Sequence, residues 1–321
     1  MTNVEQILKE LSSSFNGEIT PNKPIAPKTT FKIGGNAELF LEPADFDSLI
    51  LAVKIVQQNN LPYFVLGGGS NIVFTDDLFK GVVISTGKLN QITLTTKNDD
   101  FFVECQAGAS ISSFTNFCIK KELDGIQEFA GLPGSVGGAI YMNARCFEKS
   151  ICQILHSVCY LDKTSLSIKN YSYNSEDWAY KKSPFQDSTK LVLSSTFVLK
   201  KCTNIEELKS SCKFFINERV SKGHFAFPSA GSVFKNNHEF GLPSGKIIDN
   251  CELKGFQIGG AQVAPFHGNF IINTGNATFK DVKNLVEHVK SVVKNKYNFI
   301  LEPEIIFVDN LINWPKIRLV L

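Results

Sequence analysis

Two short stretches of this chain can lay bare backbone against an anion. The first is Val65-Leu66-Gly67-Gly68-Gly69-Ser70-Asn71, and the second is Gly131-Leu132-Pro133-Gly134-Ser135-Val136-Gly137-Gly138-Ala139. Glycine has no Cβ, so successive N–H groups can converge on one anion. Ser70 and Ser135 can add hydroxyl donors. One such loop is as readily a tight turn. Two of them, each beside an apolar run and each with its serine, suit the two phosphates of one dinucleotide. Two familiar phosphate motifs do not fit. The GxGxxG fingerprint needs a glycine where Ile72 stands, three residues after Gly69. The GxxxxGK[ST] loop fails at Gly241 to Lys246, where the spacing is one residue short and Ile247 replaces the hydroxyl residue.

The other reactive residue types are less suggestive. The cysteines at 105, 118, 146, 152, 159, 202, 212 and 251 contain no CxxC pair, so no zinc ribbon is expected. His224, His238 and His267 have no metal-ligand spacing and read as structural or surface residues. No metal is expected. Lys plus Arg is 33 and Asp plus Glu is 31, a net charge of +2, which argues against a nucleic-acid partner. With 43% hydrophobic and 20% charged residues in 321, the chain can bury a large core and is not a disordered polymer. No segment has the ~18 uninterrupted apolar residues of a membrane span. Glu5, Lys9 and Glu10 interrupt the first fifteen residues, which lack the apolar stretch of a signal peptide. Val4, Ile7, Leu8 and Leu11 instead mark a helix face.

The elements that must position the loops follow from periodicity. Leu49, Ile50, Val53 and Val56 predict a helix over 46–58, followed by buried strands at 63–66 and 81–85. Residues 16–27 read as a polar approach, and 29–41 as a strand broken at Gly34–Gly35. Residues 1–85 then form a small α/β lobe. Over 86–200, strands at 101–106, 158–162 and 191–199 surround a helix at 111–121, an α+β lobe with a glycine loop at 131–138. Over 201–321, helices at 205–219, 242–250 and 278–297 combine with strands at 232–235, 270–273 and 304–308.

Seven segments carry a resemblance. Thr30 to Gly35, Leu66 to Asn71, Ala130 to Asn143, Tyr180 to Phe185, Pro228 to Asn236, Leu253 to Asn273 and Leu301 to Glu304 run in one order from about residue 18 to 308. In that order they resemble the UDP-N-acetylenolpyruvoylglucosamine reductase family. Each is weak alone, and the set is specific. The resemblance implies an α+β fold with a two-lobed FAD-binding domain of the vanillyl-alcohol-oxidase type (lobes 1–85 and 86–200) and a C-terminal α+β substrate domain (201–321). The last strand is free to pack back on the first lobe. The short path from Phe185 to Pro228 resembles the family's shorter subtype, which lacks an inserted tyrosine loop.

The resemblance further implies non-covalent FAD, NADPH as hydride donor, and reduction of an enolpyruvyl UDP-sugar for peptidoglycan by a cytoplasmic monomer without membrane insertion. Two other readings stay open: an FAD-linked oxidase or dehydrogenase of the same fold acting on a sugar or alcohol, and a non-catalytic binder of FAD or a sugar nucleotide. By motif position, Gly67, Gly68, Gly69, Ser70, Asn71, Gly131, Pro133, Gly134, Ser135, Gly137, Gly138 and Asn143 would hold the cofactor. Ser232 matches the family's proton donor and Glu304 its catalytic glutamate. Glu302 would share Glu304's face on a regular strand, but Pro303 stands between them, and the motif is what selects Glu304. Lys181 stands where the family has arginine, keeping the charge but losing the bidentate fork. Arg145, where the family has a small glycine, is a candidate to supply the missing guanidinium. Lys222, Asn236 and Gln262 match substrate contacts, whereas Lys32, Lys246 and Lys254 read as solvated lysines.

Overall fold

The structure, a computed structural model, describes residues 3–11, 14–98 and 100–310. Helix α1 (Asn3–Leu11) buries Ile7 and Leu11; the side chain of Val4 lies outside the described residues. The first lobe contains β1 (Gly17–Pro24), β2 (Asn36–Pro43), α2 (Phe46–Gln58), β3 (Tyr63–Leu66), β4 (Ile72–Phe74) and β5 (Phe79–Ser85). Its sheet has the order β1-β2-β5-β3, antiparallel at β1 and parallel elsewhere. Asp45 caps α2 by accepting from Ser48 N, fixing where the helix starts. Leu49, Ala52, Val53 and Val56 then pack with Leu39, Leu41, Val82 and Ile84 of the sheet. The chain leaves β3 at buried Leu66 and enters the first glycine loop at once.

Two sequence expectations fail in this lobe. The polar approach over 16–27 contains β1, an edge strand whose mostly exposed residues and two prolines hide it from pattern reading. The expected strand at 29–41 begins only at Asn36, because Lys32 (φ 58°) and Gly34 (φ 142°) turn the chain before it.

The second lobe contains β6 (Ile92–Lys97), β7 (Asp100–Gln106), α3 (Ile111–Lys120), β8 (Leu123–Asp124), α4 (Val136–Tyr141), β9 (Arg145–Cys146), β10 (Lys149–Ser150), β11 (Leu155–Asp162), β12 (Ser167–Ser172) and β13 (Lys190–Lys201). The antiparallel sheet runs β12-β11-β13-β7-β6, with β8 also on β13. The glycine loop expected over 131–138 is shorter, because Gly137 and Gly138 belong to α4. A Cβ on Gly137 would lie 2.8 Å from Ala107 Cβ, so glycine lets this helix press on the chain leaving β7.

The third region contains α5 (Ile205–Ser221), β14 (Ser229–Ser232), α6 (Ser244–Asn250), β15 (Gln257–Ile258), β16 (Ala261–Val263), β17 (Phe270–Asn273), α7 (Phe279–Tyr297) and β18 (Ile306–Val308). The sheet order is β14-β17-β16-β15. Thr278 and Asp281 close a capping box at α7. The apolar face of that helix, Val282, Leu285, Val286, Val289 and Val293, shares a core with Phe31, Ile33 and Val73 of the first lobe. Two strands shift from expectation. β14 ends at Ser232 because Ser229 pairs with Ile272 and Ser232 with Phe270. Glu304 precedes β18 instead of lying in it, and β18 pairs in parallel with β4. No helix among the described residues is long and apolar enough to cross a membrane.

Candidate active site

A cavity of about 1680 Å³ is lined by both glycine loops together with Lys181, Ser232, Asn236 and Glu304. The loops touch backbone to backbone. A Cβ on Gly68 would lie 2.5 Å from Gly134 Cα, and one on Gly67 would lie 2.6 Å from Ser135 Oγ. Ser135 Oγ accepts from Gly68 N at 3.2 Å and from Gly138 N at 3.3 Å, the latter as the cap of α4. Ser70 Oγ donates to Pro133 O at 3.2 Å. The two hydroxyls expected to meet an anion therefore clasp the loops to each other. The amides of Gly69, Ser70, Asn71, Gly134 and Ser135 line the cavity and donate to no described residue. Buried or half-buried amides without partners are rare in a finished fold, and here they converge from two sides.

At one end of the cavity, three segments meet on Glu304. Its backbone N donates to Val233 O at 2.7 Å, which places it beside Ser232. Asn71 Nδ2 donates to its carbonyl at 3.1 Å, tying it to the first glycine loop. Lys181 Nζ lies 2.5 Å from its Oε1. The two side chains are only 13% and 10% exposed, so their charges are poorly screened. Glu302, by contrast, is exposed and pairs with Lys235. Gly231, next to Ser232, has φ 74° and no atom within 4 Å of an added Cβ, so the backbone there faces open space.

Lys181 reaches Glu304 from a strained turn. Its φ is 56°, and Ala179 and Lys182 close the turn with bonds of 3.3 and 3.0 Å. Asn143 explains how the turn is held. It does not line the cavity; its Nδ2 donates to Ala179 O at 2.8 Å from a 2% exposed position. Ser183 Oγ adds a bond to Tyr141 O at 2.8 Å. The residue expected to touch the cofactor thus anchors the loop that carries the cation.

The remaining expected residues divide. Asn236 lines the cavity, and its Oδ1 accepts from Ser244 N at 2.9 Å. Lys222 lines the rim, half-exposed and paired with Glu218 at 3.0 Å. Lys32 also lines the cavity, its Nζ on Pro27 O at 3.1 Å. Arg145 lines the wall, but its guanidinium is engaged by Glu148 and not by Glu304. Gln262 is not brought in: its amide bonds Gly255 O at 3.1 Å and Gln257 Oε1 at 3.2 Å within the β15–β16 hairpin. Lys246 and Lys254 sit outside the main cavity on Asp249.

Four residues on the wall, Lys163, Arg219, His224 and His267, had no ligand-site role in the sequence reading. Arg219 is 6% exposed and donates to Ala130 O at 3.0 Å and Glu128 O at 3.1 Å, holding the approach to the second loop. Its only sequence signal was one charge on an otherwise buried face of α5. His224 and His267, read as structural or surface residues, line the cavity; burial is the main cause that pushes His224 down to about 4 and His267 below its ordinary value. At the far end, burial pushes Lys163 down to about 8, and its ammonium lies 5.6 Å from the Tyr63 ring centroid. Gln57 Oε1 and Tyr63 Oη are buried there without a partner among the described residues. No cluster of three metal-ligating side chains occurs among the described residues.

The comparisons with known proteins agree with this geometry. Residues 37–165 match the family model of an FAD binding domain. Residues 223–308 match the UDP-N-acetylenolpyruvoylglucosamine reductase C-terminal domain. The reductase of that name from Treponema denticola is 44% identical over 97% of this chain and 99% of its own length. The one from Treponema pallidum is 36% identical over 89% of this chain and 92% of its own. The crystal structure of the Thermus caldophilus reductase superposes with a TM-score of 0.74 at 27% identity, covering 92% of this chain and all of that one. With both halves of the cavity matched and the identity spread along nearly the whole length, this chain belongs to the UDP-N-acetylenolpyruvoylglucosamine reductase family.

Proposed function

We propose that the cavity reduces the enolpyruvyl group of UDP-N-acetylglucosamine enolpyruvate to give UDP-N-acetylmuramate for peptidoglycan, with Lys181, Ser232 and Glu304 handling charge and proton. The observation that carries this is the Lys181–Glu304 pair at 2.5 Å, held next to Ser232 in a cavity that also contains both glycine loops.

The residues present fit FAD. The unspent amides of Gly69, Ser70, Asn71, Gly134 and Ser135 offer donors to a pyrophosphate from two loops. Gln57, Tyr63 and Lys163 offer polar atoms for the nucleoside end. When bound, FAD supplies the hydride chemistry, drawing on NADPH. Addition of hydride to the vinyl group leaves negative charge on the carbon next to the substrate carboxylate. Ser232 would protonate that carbon, a task open to a hydroxyl only because the acceptor is a strong base in a site shielded from water. Lys181 would stabilise the growing carboxylate charge. Glu304 orients Lys181 in the free protein. Once a second carboxylate faces the same cation, one of the two is best held as the neutral acid, so Glu304 can donate a hydrogen bond to the substrate.

On this reading the protein works as a monomer in the cytoplasm with FAD held non-covalently, and 1–85, 86–200 and 201–321 are the two cofactor lobes and the substrate domain. The test is anaerobic. NADPH should bleach the flavin of the parent and of Ser232→Ala at equal rates. Reoxidation by the enolpyruvyl sugar nucleotide should slow in Ser232→Ala by ~10²–10⁴-fold. Parental reoxidation in that variant would remove serine from the mechanism. Rapid reoxidation by oxygen and none by the sugar nucleotide would point to an oxidase instead.

A further inference from the structure

The hairpin β9–β10 carries a turn that its sequence does not favour. Cys146 pairs with Lys149, which leaves Phe147 and Glu148 as the two central residues. Their φ angles are 45° and 67°. A two-residue turn with both φ positive ordinarily takes Asn-Gly, because a bulky side chain is strained there. Such strain persists only where the surroundings hold it, and it points to a use for the side chain. Phe147 lines the main cavity, and its ring meets three residues of α5. Its centroid lies 4.7 Å from that of Phe215, 5.0 Å from Arg219 Cζ and 5.4 Å from Lys222 Nζ. Positions 215, 219 and 222 are spaced i, i+4 and i+7, so they form one stripe of the helix. The ring therefore covers the end of that stripe, where it changes from apolar to cationic.

The two cations do not gain equally. A cation over a ring face is worth most where water is excluded. Lys222 is half-exposed and has Glu218 as a partner at 3.0 Å. Arg219 is 6% exposed, and no carboxylate pairs with it among the described residues. Its guanidinium reaches Ala130 O and Glu128 O, and its stem backs the second glycine loop directly. A Cβ on Gly131 would lie 3.3 Å from Arg219 Cδ and 3.2 Å from Ile216 Cγ1. The hairpin grips the same approach from its other side, since Lys149 Nζ lies 3.1 Å from Glu128 Oε2. The aromatic face is thus the one electron-rich surface offered to a buried cation on which the loop rests.

We propose that Phe147 is a positioning residue for the cofactor: its ring face holds the Arg219 guanidinium against the carbonyls of Glu128 and Ala130, and so keeps the second glycine loop in the shape that receives FAD. The strained hairpin is what brings the ring there. The proposal rests on the assignment of the two glycine loops to FAD.

Flavin fluorescence on serial dilution of the FAD-loaded protein reads the dissociation constant. Phe147→Leu keeps an apolar side chain at the strained position and removes the ring face. Phe147→Tyr keeps the face, and both variants carry the same backbone strain, so their difference reports the ring. Phe147→Leu should weaken FAD retention by roughly 10-fold, and Phe147→Tyr should stay within about 3-fold of the parent. In an Arg219→Met background, Phe147→Leu should cost less than about 3-fold, because the cation that the ring serves is gone. FAD retention in Phe147→Leu equal to the parent's overturns the proposal and leaves the FAD assignment standing. Equal losses in the leucine and tyrosine variants overturn it too, since bulk or fold and not the ring face would then be the cause. So does an undiminished loss in the Arg219→Met background. If Phe147→Leu does not fold, a ring-fluorinated phenylalanine at position 147, which keeps the shape and drains the face, decides the matter: weakened retention supports the proposal and parental retention overturns it. A parent protein that binds no FAD would remove the assignment and the proposal together.

Discussion

Removing the Lys181 ammonium while leaving the Glu304 carboxylate in place is the sharpest perturbation of this site. In Lys181→Met the volume is roughly kept and the charge is lost. At the observed 2.5 Å the gross attraction is about 7 kcal/mol for an effective dielectric near 20. Most of that only offsets the cost of taking both groups out of water. Stranding one partner of a fully buried pair costs ~3–5 kcal/mol; with the side chains 13% and 10% exposed, about 2–3 kcal/mol is the better expectation. The backbone of Glu304 is tied to Val233 and Asn71 and its side chain is only 10% exposed, so the loss should appear in stability. At ~2–4 °C per kcal/mol for a chain somewhat smaller than this one, Tm should fall by roughly 4–8 °C at pH 8. The sign with pH is fixed. A stranded carboxylate has its folded-state pKa raised, so the deficit is largest above the ordinary carboxylate range and shrinks as pH falls towards 5. Glu304→Gln removes the stranded charge, so the double variant should be no less stable than Lys181→Met alone, a coupling of about 2–3 kcal/mol. Lys181→Arg should recover most of the stability. Thermal unfolding of the parent and the four variants, including Glu304→Gln alone, at pH 8 and pH 5 decides it. Additive losses, or a Lys181→Met protein that melts like its parent at both pH values, would refute a coupled pair.

Arg219→Met should loosen the second glycine loop, because each hydrogen bond from a charged donor is worth ~1.5–3 kcal/mol and the side chain makes two of them. Weaker FAD retention, read by flavin fluorescence after dilution, is the expected result, and unchanged retention would detach Arg219 from the loop. Arg145→Ala should reoxidise at the parental rate, since its guanidinium serves Glu148; a slowing of tenfold or more would restore the idea that it compensates for the missing arginine. Acid precipitation should release the yellow colour into the supernatant, and colour retained in the pellet would mean a covalent flavin.

The helices and buried strands were legible because burying one face against a neighbouring element imposes their periodicity. α2 and β3 fall where Leu49, Val53, Val56 and the Tyr63–Leu66 run place them. The strands that escaped are edge strands with little buried face or strands too short to show a pattern. β1 and β12 are edge strands with largely exposed faces, so little alternation marks them, and β6, also at an edge, alternates only over Ile92 to Thr95 before its exposed end. β4 has only three residues and was not read, and β18, expected over 304–308 and found over Ile306–Val308, pairs with it across more than two hundred positions. Local pattern carries no information about such a pairing, yet it is this pairing that draws Glu304 to the first glycine loop.

The site shows the same division between type and placement. The sequence identified chemistry-bearing residues by motif, and the cavity gathers Lys181, Ser232 and Glu304 as a group. It did not distinguish a side chain that meets a ligand from one that holds a ligand-meeting loop. Ser70 and Ser135 turn their hydroxyls, and Asn143 its Nδ2, to neighbouring backbone, because two loops stripped of Cβ atoms and one turn with positive φ need other bonds to hold their shape. This accounts for lysine at position 181. The residue sits at φ 56°, where the backbone alone is strained, and it must deliver a charge to a carboxylate already fixed by Val233 and Asn71. Lysine's flexible stem can adjust to such a target, whereas a planar fork demands that the turn itself supply the angle. The charge is kept and the bidentate geometry is given up. The bonds from Asn143 to Ala179 O and from Ser183 to Tyr141 O hold the turn from which that stem reaches Glu304.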